Sequence, residues 1–442
     1  MQRMTAATWS NWAGQQHCAP AMRVIPRSEA ELSEHLTHAI AAGHTVRPLG
    51  SGHSFTDLCV TDGCHVDLRL MADVLDVDRA SGLVRVQAGM PLHRLTAVLH
   101  AHGLALENQG DIDRQTIGGA TATATHGTGA QFRNLSSGIV GARIALADGT
   151  IRDLQLPGDA ALLRAVRVSL GALGVITELT LQTVPAFRLR KVEEPRPLDD
   201  LLDGYLELTA AHDHFECYVF PHARVGLSMA SDRTDDPPAP LPAWRRWLAD
   251  DLVANRGLAT FSRAGRRFPH RAPQISRAMV RLLSRDVRID HSHRVYASER
   301  RVRFTEMEYA IPRAHVGDAV RAVLAMITRE RVGVTFPIEV RTTAADDAYL
   351  STAAARDTAY VAVHQFVGMP YEPYFRAVEA IMDRFDGRPH WGKRHFQTAA
   401  TLAPRYPEWA AFQRARAELD PAGAFTSDAV RRVLGPPAAA LA

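Results

Sequence analysis

The chain has 442 residues, 46% hydrophobic and 22% charged, which excludes a small disulfide scaffold or a disordered chain and leaves room for at least two domains. Its 51 basic and 48 acidic side chains leave a net charge of +3, too even for a nucleic-acid footprint. No stretch approaches 18 uninterrupted apolar residues, so no membrane span is expected. Met1 to Trp12 holds one Arg and no apolar run of signal length, and Cys18, Cys59, Cys64 and Cys217 form no C-x-x-C pair. A cytoplasmic protein with reduced thiols is expected.

In chain order, Ser28 followed by Glu31 forms a capping box, and Leu32, Leu36 and Ile40 keep helical spacing. This predicts a helix over 29–42, closed by Gly43. A strand at 46–49 runs into the small-residue turn Gly50-Ser51-Gly52-His53-Ser54. Residues 74–77 and 83–86 form a hairpin around Gly82, and 139–146 pairs with 151–154 around Asp148-Gly149. Between the two hairpins a helix starts at Pro91, and 174–184 closes this half as a strand. Pro185, Pro195 and Pro197 mark a change of character, placing a domain boundary near residue 188. Beyond it, Asp235 to Pro242 is too proline-rich for regular structure. Strands are expected at 301–311, 334–343 and 360–367, and helices at 313–330 and 372–385. The fold class is α+β.

The turn at Gly50 resembles a dinucleotide fingerprint only in part. Phe55 takes the third glycine position and no helix follows, so a Rossmann domain is not expected. A second segment, Gly118 to Gly129, has no large side chain except His126. With Gly118, Gly119, Thr121, Thr123, Thr125 and Gly127, backbone amides and hydroxyls can come close to an anion. Two such loops favour a pyrophosphate-containing cofactor.

Gly387 to Arg394 has nearly Walker A spacing, but Arg394 replaces the magnesium-binding hydroxyl and Pro389 and Trp391 cannot wrap phosphates. His212-x-His214 and His291-x-His293 lack a clear third ligand, so no metal is expected and a zinc hydrolase is a minor alternative. In Phe336 to Thr343, strand alternation puts Glu339, Arg341 and Thr343 on one face. That pair suits a salt bridge or a polyhydroxylated ligand. His364 lies on the next strand. Only Lys191 and Lys393 are lysines, every other cation being Arg. A lysine that persists against such a bias suggests a need for a compact, titratable charge.

The order of Trp9-Ser10-Asn11-Trp12, Gly50 to Phe55, Glu107 to Asp111, Gly118 to Gly129, Phe336 to Arg341 and His390-Trp391-Gly392-Lys393 resembles the aldonolactone oxidoreductases, nearest their actinobacterial branch. These are FAD-dependent enzymes of the vanillyl-alcohol-oxidase flavoprotein superfamily, including L-gulono-1,4-lactone and D-arabinono-1,4-lactone oxidases. The resemblance implies a PCMH-type FAD domain over 1–187, a substrate domain over 188–388 and a C-terminal return over 389–442 that completes the FAD domain. It implies that Gly50, Ser51, Gly52, His53 and Ser54, with the second loop, hold FAD, and that His53 carries the flavin covalently. Glu339, Arg341, Lys393 and His364 fall on its substrate-side positions.

The implied reaction moves the C2 hydrogen of a lactone to the flavin, with molecular oxygen as the expected acceptor and hydrogen peroxide as by-product. Each well-placed cation beside the substrate oxygen is worth ~3 kcal/mol, about a hundredfold in rate. Weighed beside it are a sugar-alcohol oxidase on the same scaffold, a dehydrogenase using a dye, quinone or cytochrome, an FAD-binding protein without a redox substrate, and an arginine-rich nucleic-acid binder.

Overall fold

The computed structural model describes residues 8–240, 257–298 and 301–437. The N-terminal helix runs Glu29–Ala41, with Ser28 Oγ accepting from the Glu31 amide at 3.2 Å and Gly43, at φ +79°, ending it. Glu31 answers only half of the expected capping box, because its carboxylate accepts from the Arg27 amide instead of that of Ser28. Leu32 and Leu36 are fully buried beneath a three-stranded parallel sheet ordered Met22–Val24, Cys64–Asp67, Val46–Leu49. Both expected hairpins form and join Val175–Gln182 in a five-stranded antiparallel sheet.

These sheets share one core with residues far along the chain, among them Leu350, Trp391, Phe412, Phe425 and Val430. Arg47, 2% exposed, stitches the segments together. It donates from Nε to the Leu58 carbonyl (2.8 Å), from Nη1 to those of Gly171 (2.9 Å) and Phe425 (2.8 Å), and from Nη2 to that of Leu170 (2.6 Å). Four carbonyl dipoles thus solvate a charge that burial alone would make costly.

The second body is an eight-stranded antiparallel sheet ordered Asp286–His291, Arg188–Pro197, Val225–Thr234, His214–Val219, Ile338–Thr343, Thr358–Phe366, Phe304–Pro312, Arg388–Pro389. Strand alternation divides its two faces. Phe215, Cys217, Met307, Tyr309, Ile338, Val340, Val361 and Val363 pack into a second core with the helices Val316–Arg329 and Glu372–Asp383. The intervening residues Glu216, Glu306, Glu308, Glu339, Arg341 and His364 therefore share the other face.

The α+β expectation holds, with local corrections. The strand expected from 334 begins at Ile338, after Pro337, which has no amide to give a ladder, and the one expected from 301 begins at Phe304. The segment from Gly118, expected as a loop, opens as a helix, Ile117–Ala122, because Thr116 Oγ1 caps the Gly119 amide at 3.2 Å. Of the proline-rich stretch, Asp235 to Pro240 forms no helix or strand, as expected, apart from a single antiparallel bridge between Ala239 and Ile289, and Leu241 and Pro242 lie outside the described residues. Among the described residues, no helix is long and apolar enough to cross a membrane.

Candidate active site

The turn after Val46–Leu49 meets the start of the helix Ile117–Ala122 at a cleft of about 110 Å³. Their approach depends on missing side chains. A Cβ on Gly50 would lie 2.7 Å from Thr116 Oγ1, one on Gly119 3.0 Å from the same atom, and one on Gly118 2.9 Å from the Ala88 methyl. Gly52 adopts φ +71°, a conformation that favours glycine. Among the described residues, no hydrogen bond uses the backbone amides of Ser51, Gly52, His53 or Ser54. A narrow cleft bordered by spare amides, with glycines where the two segments approach, fits an elongated phosphate-bearing group.

Gly50, Ser51, Gly52, His53, Ser54, Gly118, Gly119 and Thr123 line this cleft. Thr121 and Gly127 do not. Thr121 is fully buried, with its hydroxyl donating to the Ile117 carbonyl at 2.9 Å, and a Cβ on Gly127 would lie 2.2 Å from Asn108 Oδ1. Thr125 and His126 line an adjoining chamber of about 350 Å³. His53 borders both spaces, its ring stacked on Trp12 at 5.7 Å between centroids. Burial, with Lys393 and Arg114 nearby, lowers the His53 imidazole to about 4, so the ring is neutral at pH 7.

The polar face of the large sheet forms the chamber's other side. The loop carrying Lys393 is held along the strand Phe304–Pro312: the His390 amide donates to the Glu308 carbonyl (3.0 Å) and the Arg394 amide to the Glu306 carbonyl (2.8 Å). Trp391 anchors this loop, fully buried and donating from Nε1 to the Leu350 carbonyl at 2.7 Å. In this register Lys393 Nζ forms an ion pair with Glu306 Oε2, and His364 Nε2 lies 3.5 Å from Glu306 Oε1. Burial works against the Lys393 ammonium, but Glu306, Glu308 and Asp111 outweigh it and raise Lys393 above its ordinary value.

Arg341 is bracketed by three carboxylates: Glu339, in direct contact with Nη2, Glu216 at 2.8 Å from Nε, and Asp111 at 3.4 Å. Burial disfavours its charge, and these anions more than compensate. The structure thus brings Glu339, Arg341, His364 and Lys393 to one cavity wall. A further group, His126, Glu308 and His390, places its side-chain polar atoms within 4.8 Å of one another. Burial pushes Glu308 up, yet His126, His390 and Lys393 hold it well below the ordinary carboxylate range.

Sequence reasoning missed Glu306 and Glu308. Their signal was two acids two residues apart in an otherwise apolar strand. Of the histidine pairs weighed as a minor metal alternative, His212 Nδ1 meets Asp232 at 2.8 Å, His214 bonds the Thr128 carbonyl (2.8 Å) and the Tyr296 hydroxyl (2.9 Å), and His291 and His293 pack against the His100 ring at 4.2 and 5.1 Å between centroids.

Comparison with known proteins gives a consistent result. A family model for D-arabinono-1,4-lactone oxidase matches residues 179–433, and one for an FAD binding domain matches residues 20–155. The chain is 50% identical to an L-gulono-1,4-lactone dehydrogenase of Mycobacterium tuberculosis, over 97% of this chain and 99% of that one. It is 32% identical to an L-gulonolactone oxidase of Mus musculus (96% of this chain, 98% of that one) and 32% identical to an alditol oxidase of a Streptomyces species (97% and 99%). Among solved structures, a cholesterol oxidase from B. sterolicum shares the fold at TM-score 0.80 and 17% identity, covering 97% of this chain and 96% of that one.

Proposed function

Since the chain belongs to the aldonolactone oxidoreductases, FAD-dependent enzymes of the vanillyl-alcohol-oxidase superfamily, we propose that it oxidises an aldono-1,4-lactone of the L-gulono or D-arabinono type at C2. The product is a 2-keto lactone that enolises to an ascorbate-like compound. Bound FAD would supply the two-electron oxidant for this step.

The observation that carries this reading is the pairing of spaces at His53: a cleft bordered by spare amides on one side and a chamber with the buried Arg341 and half-buried Lys393 on the other. Gly50 to Ser54, Gly118, Gly119 and Thr123 hold the cofactor. His53, kept neutral by burial, has a lone pair free to attach to it covalently. Arg341 and Lys393 bind the lactone oxygens and stabilise negative charge as it develops on the C2 oxygen. Glu339 orders neighbouring hydroxyls and holds Arg341, and His364 aligns Glu306 behind Lys393.

For the electron acceptor, the small residues Ala122 to Thr125 support access for molecular oxygen. The name of the half-identical relative favours a dehydrogenase with a different acceptor. An alditol ranks behind the lactone as substrate, supported by the alditol oxidase relative. The test is to add lactones and alditols to the yellow protein without air. Bleaching by a lactone supports the reading, and bleaching only by alditols replaces it. Hydrogen peroxide formed in step with substrate on admitting air marks an oxidase, whereas turnover only with a dye or cytochrome marks a dehydrogenase.

A further inference from the structure

Oxidising an alcohol carbon also releases the hydroxyl proton, and most groups in the chamber are unable to take it. Arg341 stays charged, Lys393 is held protonated by Glu306, and Glu306 and Glu339 are committed to ion pairs. His390 Nδ1 accepts the Gly392 amide at 3.0 Å, so its lone pair is occupied.

His126 differs. Its Nδ1 lies 2.8 Å from the Gly127 carbonyl oxygen, which can only accept, so Nδ1 carries a hydrogen and the neutral ring has its lone pair at Nε2. Nε2 in turn lies 3.1 Å from Glu308 Oε1. Two acceptors therefore face each other unless a proton lies between them. The ring is 4% exposed, stacked on Tyr360 at 3.5 Å between centroids, and borders the chamber. A metal ion bound by His126, Glu308 and His390 would need a free lone pair on His390, and the Gly392 amide already holds it.

We propose that His126 accepts the substrate's hydroxyl proton, with Glu308 positioning it. The O–H bond breaks and its proton forms an N–H bond at Nε2. The O–H electron pair closes the C=O bond, and the hydrogen on that carbon leaves with its electron pair to the oxidised flavin. This rests on the reading above, that an alcohol carbon is oxidised. Glu308, Tyr360 and His390 are in contact with His126, and Glu306, Arg341 and Lys393 line the same chamber.

A base works only when unprotonated, so flavin reduction should rise with pH along an acid limb. The test is anaerobic stopped-flow reduction of the holoenzyme by lactone across pH, for wild type, His126→Gln and Glu308→Gln, each first checked for a normal bound-flavin spectrum. His126→Gln should be slower by about a hundredfold or more and lose the acid limb. Glu308→Gln, lacking the anion that favours the protonated pair, should keep the limb at lower pH. A second readout needs no turnover: lactone binding to dithionite-reduced holoenzyme, followed by calorimetry in two buffers of different ionisation heat. Near the limb the wild type should release a proton on binding, and His126→Gln should release none. Reduction of His126→Gln within threefold of wild type, with the limb unchanged, overturns the proposal, as does unaltered proton release. A wild-type flavin that neither lactones nor alditols bleach overturns both the reading and the proposal, whereas normal bleaching with an unaltered variant overturns only the role of His126.

Discussion

Glu216 Oε2 accepts a 2.8 Å hydrogen bond from Arg341 Nε, while its other oxygen lies 3.8 Å from Lys191 Nζ. One of the chain's two lysines thus stands behind the site arginine, and the other, Lys393, stands in the site itself. Glu216→Gln should leave Arg341 charged, through Glu339 and Asp111, but less firmly aimed. The expected result is a lactone KM raised severalfold with kcat within about threefold, since uniform binding is lost and not transition-state stabilisation. A large fall in kcat with KM unchanged would contradict this.

Lys393 is the more direct test of electrostatic catalysis. Lys393→Ala should retain FAD but slow anaerobic flavin reduction by roughly a hundredfold or more, as a charged donor to a developing oxyanion is lost. Lys393→Arg should also be impaired, because the planar fork does not match the ammonium's position against Glu306. Rates within a fewfold of wild type in both variants would remove Lys393 from the mechanism.

For His53, acid precipitation should leave the yellow colour in the pellet, and His53→Ala should move it to the supernatant. A wild-type supernatant holding all the flavin would rule out attachment at this ring.

Asp346 offers a stability test with a defined sign. It is 7% exposed and accepts from the Ser351 hydroxyl (2.6 Å) and the Ala348 amide (3.2 Å), yet burial raises it from an ordinary 3.8 to about 6. The fold therefore favours the protonated acid: this contribution is complete below about pH 3.8 and is lost as pH rises through about 6. At pH 8 the ionised side chain is a cost, so Asp346→Asn should stabilise the protein by about 1–2 kcal/mol there and by nothing near pH 4. Urea unfolding at the two pH values measures the difference, and an equal effect at both would show that burial of charge is not the cause.

Much of this architecture is legible in local sequence, because caps and two-residue alternation act over a few residues. Ser28 marks its helix and Gly82 its hairpin. The helix Ile117–Ala122 was missed because two glycines and Thr121 are poor helix formers, and the capping residue Thr116 was the overlooked signal. Arg341 and Glu339 stood out as a pair on one strand. Glu306 and Glu308 gained meaning only when residues more than 80 positions away, Lys393 and His390, were laid along their strand by backbone hydrogen bonds. No local pattern encodes that. Arg47 is similar: its four carbonyl partners come from three other segments, at Leu58, Leu170 with Gly171, and Phe425.

The charges around the chamber bear on the life of the substrate in water. Among the described residues, Asp111, Asp113, Glu306, Glu308 and Glu339 outnumber Arg114, Arg341 and Lys393. A sugar lactone is neutral while its ring is closed, and hydrolysis turns it into a carboxylate. For the lactone proposed above, this surplus of negative charge admits the ring and repels the opened acid. Hydrolysis then works as a clock: the enzyme competes with ring opening for each molecule, and what has opened is lost as substrate without becoming an inhibitor.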